Sequence, residues 1–145
     1  MKYVFLDYPL AIHKLAFKAA EAAHCAGEQG KYWEMHDRLF ANQKTLERWT
    51  AHAEAIGLDT SRFEGCLNAG KYIEEIRADM EEGRKAGVTG TPASFLAYTE
   101  PGSSKVRTLI RLSGAQPFSI MKHRIDQLLV PPPKAEPTKA IGKPN

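Results

Sequence analysis

The chain has 145 residues, enough for one domain with a real core and too few for two ordinary ones. Apolar residues make up 43% and charged residues 26%, the balance of a globular protein rather than a disordered or membrane one. Lys plus Arg number 20 against 17 Asp plus Glu, a net charge of +3 with the signs interspersed, and the one dense cluster is the mixed run Glu74 to Lys85. No basic stripe carries interleaved aromatics, so nucleic acid is not an expected partner. No apolar run approaches the ~20 residues of a membrane span. Before Asp7 there are only Lys2 and the four apolar residues Tyr3 to Leu6, too few for a signal peptide, so the chain as written is expected in the cytoplasm. Cys25 and Cys66 stand 41 positions apart. That spacing excludes a Cys-x-x-Cys pair, and two cysteines alone cannot build a four-ligand zinc site.

In chain order, Tyr3 to Leu6 is a short apolar run closed by Asp7-Tyr8-Pro9, which predicts a buried strand. His13 to Phe40 is helical in pattern and broken at Gly27 to Gly30. Its first piece carries Ala16, Ala19, Ala20, Ala22, Ala23 and Ala26, small side chains that admit a neighbouring helix. Its second piece sets Trp33, His36 and Phe40 on one face. Thr45 to Ile56 predicts a third helix ended by Gly57. Asp59 or Thr60 caps a short helix through Leu67, with Gly70 at its end. Tyr72, Ile73, Ile76 and Met80 make Lys71 to Lys85 amphipathic, stopped near Gly87.

The pattern then changes. Val88-Thr89-Gly90-Thr91-Pro92 is a turn-rich loop, Ala93 to Tyr98 a strand, and Glu100 to Ser104 a hairpin connection. From Val106 to Leu112, Val106, Ile110 and Leu112 share one face of a strand while Arg107 and Arg111 share the other. Gly114 to Pro117 turns the chain into a last helix, Phe118 to Val130. Pro131 to Asn145 holds five prolines and reads as an extended polar tail. Strand, helical block, hairpin and helix make an α/β plan with a helical insertion.

Several groupings carry no chemistry on this reading. His13, His24, His36, His52 and His123 form no metal-ligand spacing, so no metal is expected, and His24 and Cys25, being adjacent, diverge around a helix. Trp33, Phe40, Trp49, Phe63 and Tyr72 are read as core. Glu74, Glu75, Asp79, Glu81 and Glu82 are placed on the solvent face of their helix.

The stretch from Ala20 through His24-Cys25-Ala26-Gly27 and Tyr32-Trp33-Glu34-Met35-His36 to Asp37, followed by Leu39-Phe40, closely resembles the insertion helices of DsbA-family thiol–disulfide oxidoreductases. Phe5 to Leu10, Cys66 to Tyr72 and Gly87 to Pro92 agree with the same family in its order, and Ser113 to Pro117 before the last helix also fits. The similarity runs from about residue 3 to residue 130. It implies a thioredoxin-like α/β domain over residues 1–130, interrupted by a helical subdomain at about 13–87 and followed by the tail at 131–145.

In the family a Thr-Pro pair with a cis peptide lies beside the redox cysteines, where its backbone pairs with an extended substrate. Thr91 and Pro92 match it and imply a peptide ligand. The first strand and the Cys-x-x-Cys helix of the family precede the segment that here begins at Lys2, and the chain as written lacks both. No catalytic residue and no cofactor are therefore expected, because a thiolate at a helix N-terminus is the nucleophile of the reaction. Cys25 and Cys66 resemble positions that some members join in a second, structural disulfide. Members usually work outside the cytoplasm; in an exported protein the joined and the reduced states of this pair both stay open, and inside the cytoplasm the two are expected to be reduced and buried.

Without the family's first strand, the strand at Tyr3 to Leu6 and the one at Ala93 to Tyr98 both present bare edges, which recruit another chain. The expectation is a homodimer, swapped or edge-paired, or a complex with a complementary N-terminal fragment, unless the two halves of the sheet close on each other. Three functions follow: a redox-inactive, self-associating or peptide-binding protein, half of an oxidoreductase whose Cys-x-x-Cys unit lies elsewhere, or a non-catalytic interaction module that docks through its helices.

Overall fold

A computed structural model describes residues 2–99 and 106–129. The chain forms two compact units, one over residues 1–91 and the other over residues 92–145.

The first unit is helical. Helix α1 (Ala16–Gly27) packs against α2 (Tyr32–Ala41), against α4 (Thr60–Ala69) and against α5 (Ile73–Lys85), while α3 (Trp49–Ala55) contacts α2 and α4. The alanines explain this crowding. Ala20, Ala22, Ala23 and Ala26 are all buried, and without longer side chains between them the helix backbones approach closely. Around them Met35, Leu39, Ala53, Leu58, Phe63 and Leu67 close a single core, with Trp49 and Tyr72 packed partly against it.

Local chemistry sets the helix ends. The Asp59 carboxylate accepts the Arg62 amide at 2.9 Å and caps α4. Gly70 ends that helix at φ 62°, a backbone state that disfavours any side chain, and a Cβ there would lie 2.6 Å from Ile73 Cδ1. The turn after α1 is tied to the turn before α4, since the Gln29 side chain accepts from the Asp59 amide and donates to the Asp59 carbonyl. Lys31 Nζ donates to the carbonyl of Ile56, filling an acceptor that the end of α3 leaves open.

Three sequence expectations change here. The helix foreseen from His13 begins at Ala16, after turns closed by the carbonyls of Leu10 and His13. The helix foreseen over Thr45 to Ile56 is a 3-10 turn, Gln43–Thr45, followed by the shorter α3. The Thr45 carbonyl accepts from the Arg48 amide and from Nε2 of the buried His52, so it is not used by an α-helical ladder. Tyr3 to Leu6 forms no strand, because no ladder partner stands beside it among the described residues. The Tyr3 and Phe5 rings instead lie 5.7 and 6.3 Å from that of Trp33.

The second unit holds β1 (Ala93–Thr99) antiparallel to β2 (Val106–Ser113), and α6 (Phe118–Leu129). The register runs from Ala93 opposite Ser113 to Thr99 opposite Val106, with an irregularity after Leu96 that leaves Leu109 as the extra residue. Ile110 and Leu112 are half-buried while Arg107 and Arg111 are exposed, as the alternation predicts, and the Arg111 guanidinium lies 5.8 Å from the Phe95 ring. The hairpin connection at Glu100 to Ser104 and the tail at 131–145 lie outside the described residues.

Replacing the fully buried Phe63 by Ala should cost about 3–5 kcal/mol, whereas removing the α4 cap with Asp59→Ala should cost about 1 kcal/mol. Urea unfolding followed by helical circular dichroism measures both, and near-equal losses would contradict this assignment of core and cap.

Candidate functional site

Cys25 on α1 and Cys66 on α4 face one another across the core, 5.8 Å apart at Cα, and are joined in a disulfide. They are 1% and 8% exposed, so solvent barely reaches either sulfur. Glu28 Oε1 lies 3.7 Å from Cys66 Sγ, which as a disulfide sulfur has no proton to donate. Glu28 itself accepts from the Tyr72 hydroxyl at 3.1 Å and pairs with Lys71 Nζ at 2.5 Å. The Lys71 hydrogen bond holds the Glu28 carboxyl below its usual range, and the same contact raises the lysine.

Thr91 and Pro92 are both exposed at the chain's passage from the helical unit to the hairpin. Upstream, Val88 is buried, with its amide on the Gly83 carbonyl and its carbonyl accepting from Tyr8 Oη at 3.0 Å. Downstream, the Pro92 carbonyl accepts the Gly114 amide at 2.8 Å and closes the open end of the hairpin. Between these anchors, the Thr91 amide and carbonyl make no hydrogen bond among the described residues.

The aromatic groups divide. Phe63 is core and Trp49 and Tyr72 border it, but Trp33 is 45% and Phe40 59% exposed, which overturns the reading of those two as core. Their helix turns Met35 and Leu39 inward, so Trp33 and Phe40 face outward, and the half-buried His36 ring lies 4.9 Å from Phe5, 5.2 Å from Trp33 and 4.7 Å from Phe40.

One polar constellation has no counterpart in the sequence reading. The buried Asp7 carboxylate meets His24 Nε2 at 2.7 Å, and the Asp7 amide donates to Asp79 Oδ2 at 2.9 Å. Glu75 Oε1 stands 3.8 Å from His24 Nδ1, and the Tyr72 ring stacks on the imidazole at 4.9 Å. Asp79 is thus half-buried and engaged, not on the solvent face where the helical pattern put it. The hydrogen bond that His24 donates to the Asp7 carboxylate lifts the His24 pKa above the ordinary histidine value, against the pull of burial. Burial raises Asp79, and the Asp7 charge raises it further. Burial also pushes the Tyr32 phenol well up, with Asp7 and Asp79 adding to the shift. The only signal in the sequence was a charged residue enclosed by apolar neighbours, Leu6-Asp7-Tyr8-Pro9. Among the described residues no group of His, Cys, Asp and Glu has the arrangement of a metal site.

The profile of the family described as thioredoxin matches residues 1–101. Among curated proteins, Na(+)/H(+) antiporter NhaA 1 of Salinispora arenicola is 38% identical over 99 residues, which are 66% of this chain and 15% of the antiporter. NhaA 3 of Salinispora tropica is 38% identical over the same length and shares. NhaA 1 of Mycobacterium sp. strain KMS is 36% identical over 100 residues, 65% of this chain and 16% of its own. The chain therefore spans about a sixth of the length of these relatives. No solved structure matches it.

Removing the disulfide with the double substitution Cys25→Ala and Cys66→Ala should cost about 2–4 kcal/mol, since the bond closes a loop of 41 positions in the unfolded chain. Denaturant unfolding measures the loss, and intact mass under non-reducing conditions should find the unaltered protein two hydrogens lighter than its dithiol. A protein whose stability ignores the substitution, or whose mass is that of the dithiol, would remove the bond from this account.

Proposed function

The chain belongs to the thioredoxin family, and from that premise we propose that it is a DsbA-like member that binds extended polypeptide without exchanging disulfides itself. Its fold is the α/β thioredoxin-like one, mixed helices with a small antiparallel sheet. The observation that carries the proposal is the state of its sulfur. Both cysteines of the chain are committed to one buried bond. Exchange begins with an accessible thiolate, most reactive at a helix N-terminus, and here no free cysteine supplies one. The Cys25–Cys66 bond serves the helical core instead.

What remains is the peptide-facing loop. The resemblance assigns a cis bond to Thr91–Pro92, and the amide and carbonyl of the exposed residue Thr91, without a hydrogen bond among the described residues, suit pairing with a peptide backbone in the manner of strand addition. Na(+)/H(+) exchange is not part of this reading. The shared stretch is only 15–16% of the antiporters, and no helix among the described residues is long and apolar enough to cross a membrane.

The segment Lys2 to Leu6 favours a second reading. After Lys2 it is apolar, Val4 and Leu6 are exposed, and its backbone makes no hydrogen bond among the described residues, so it presents an edge for a strand from elsewhere. That strand would belong to a second copy, or to a Cys-x-x-Cys segment of the same or another polypeptide, which would complete an oxidoreductase.

With dithiothreitol present, the purified chain should not accelerate insulin precipitation beyond the dithiol alone, and catalysis by the chain itself would refute the proposal. Catalysis that appears only on adding a polypeptide with the family's Cys-x-x-Cys strand and helix selects the second reading. An extended peptide should shift the Thr91 amide resonance, and Thr91→Pro should weaken its binding roughly three- to tenfold by removing one donor. A light-scattering mass of two chains would assign the exposed segment to self-pairing.

A further inference from the structure

The stretch Lys2–Pro9 is held to the helical unit by the ring contacts of Tyr3 and Phe5 at its start and by polar contacts at Asp7 and Tyr8 at its end, without a backbone ladder. Asp7 spans the gap between two helices, its carboxylate on His24 of α1 and its amide on Asp79 of α5. The next residue adds a third fastening: Tyr8 donates its hydroxyl to the Val88 carbonyl and lays its ring over Gly83, where a Cβ would sit 2.7 Å from Tyr8 Cδ2. The groups that face the imidazole come from four places in the chain. Asp7 comes from the segment itself, Tyr32 from α2, Tyr72 from the turn before α5, and Glu75 and Asp79 from α5.

Three carboxylates therefore converge on one imidazole, and the two nearest to Asp7's docking point, its own and that of Asp79, repel each other. An imidazolium offsets this charge at both ring nitrogens. A neutral imidazole still donates one proton to Asp7, but that hydrogen bond loses its charge assistance and the carboxylates lose their counter-ion.

We propose that His24, Asp7 and Asp79 form a proton-operated latch, which clasps Lys2–Pro9 to α1 and α5 while His24 is an imidazolium and loosens when His24 is neutral. The direction follows from linkage. His24 in the folded chain sits above 6.5, so its contribution is complete below about 6.5 and is lost as pH rises through the folded value. Asp79, raised by burial, acts in the same direction at lower pH. Each unit by which the docked Asp7 itself raises His24 makes docking about tenfold more favourable in the protonated state. The latch thus makes the apolar segment a mobile edge on the alkaline side and a fixed one on the acid side.

The test is a titration of the full chain by nuclear magnetic resonance, following the His24 ring, the Asp7 amide and the Tyr8 ring. The expected result is one shared midpoint above 6.5. Above it, Asp7 amide exchange, corrected for its intrinsic pH dependence, should be about tenfold faster for each unit by which Asp7 raises His24, the difference that Asp7→Asn measures. His24→Gln should erase the shared transition and leave the segment loose throughout. Asp7→Asn keeps the amide donor to Asp79 and should lower the His24 midpoint by about one pH unit. The wild-type titration needs no variant to fold. Asp7 and Tyr8 signals that stay fixed while His24 titrates, or a His24→Gln protein that keeps the wild-type profile, would overturn the latch.

Discussion

Helix α1 touches three other helices along one short length, and four of its six buried positions are alanines, which lets the neighbouring backbones come close. Ala22 and Ala26 are fully enclosed, so a methyl group is all the side chain their sites accommodate. Close approach by α4 then brings Cys66 within bonding reach of Cys25, and the cross-link holds the pair at the separation that the alanines permit. Outside the core the same register is kept by polar fastenings: the Gln29 side chain on the Asp59 backbone, and Lys31 on the end of α3. Packing decides the geometry of this unit, and the covalent and polar links preserve it.

The chemistry of the chain follows from that arrangement. A sulfur placed between close-packed helices is shielded, and a shielded disulfide stabilises a structure rather than trading electrons with a substrate. Membership of a family defined by its fold does not fix a member's chemistry, because the site, not the fold, governs what a protein does. Among the described residues, Thr91, most of the segment Lys2 to Leu6 and the rings of Trp33 and Phe40 are in contact with solvent, as are other apolar side chains such as Ile12 and Phe118.

Much of the secondary structure was legible because its determinants are local. Asp59 and Gly70 mark the two ends of α4, Ile76 and its helical neighbours mark α5, and Ile110 and Leu112 alternate with arginines along β2. Other features were not legible because they depend on what lies opposite. Tyr3 to Leu6 has the composition of a strand, but a strand exists only when a neighbour accepts its hydrogen bonds. Trp33 and Phe40 share a face with regular spacing, and spacing cannot say whether that face turns to the core or away from it. Helical periodicity placed Asp79 toward water, while the chain brings the Asp7 amide down on it from 72 residues away.

The sequence by itself determined the α/β class, the succession of helices before the hairpin, and the lack of any neighbouring pair of thiols, since these are properties of residues near one another along the chain. Only the tertiary structure decided that Asp7, His24 and Asp79 meet, and which aromatic rings face outward. Such contacts join residues far apart in sequence, and their formation depends on how closely the alanine face of α1 lets its neighbours approach.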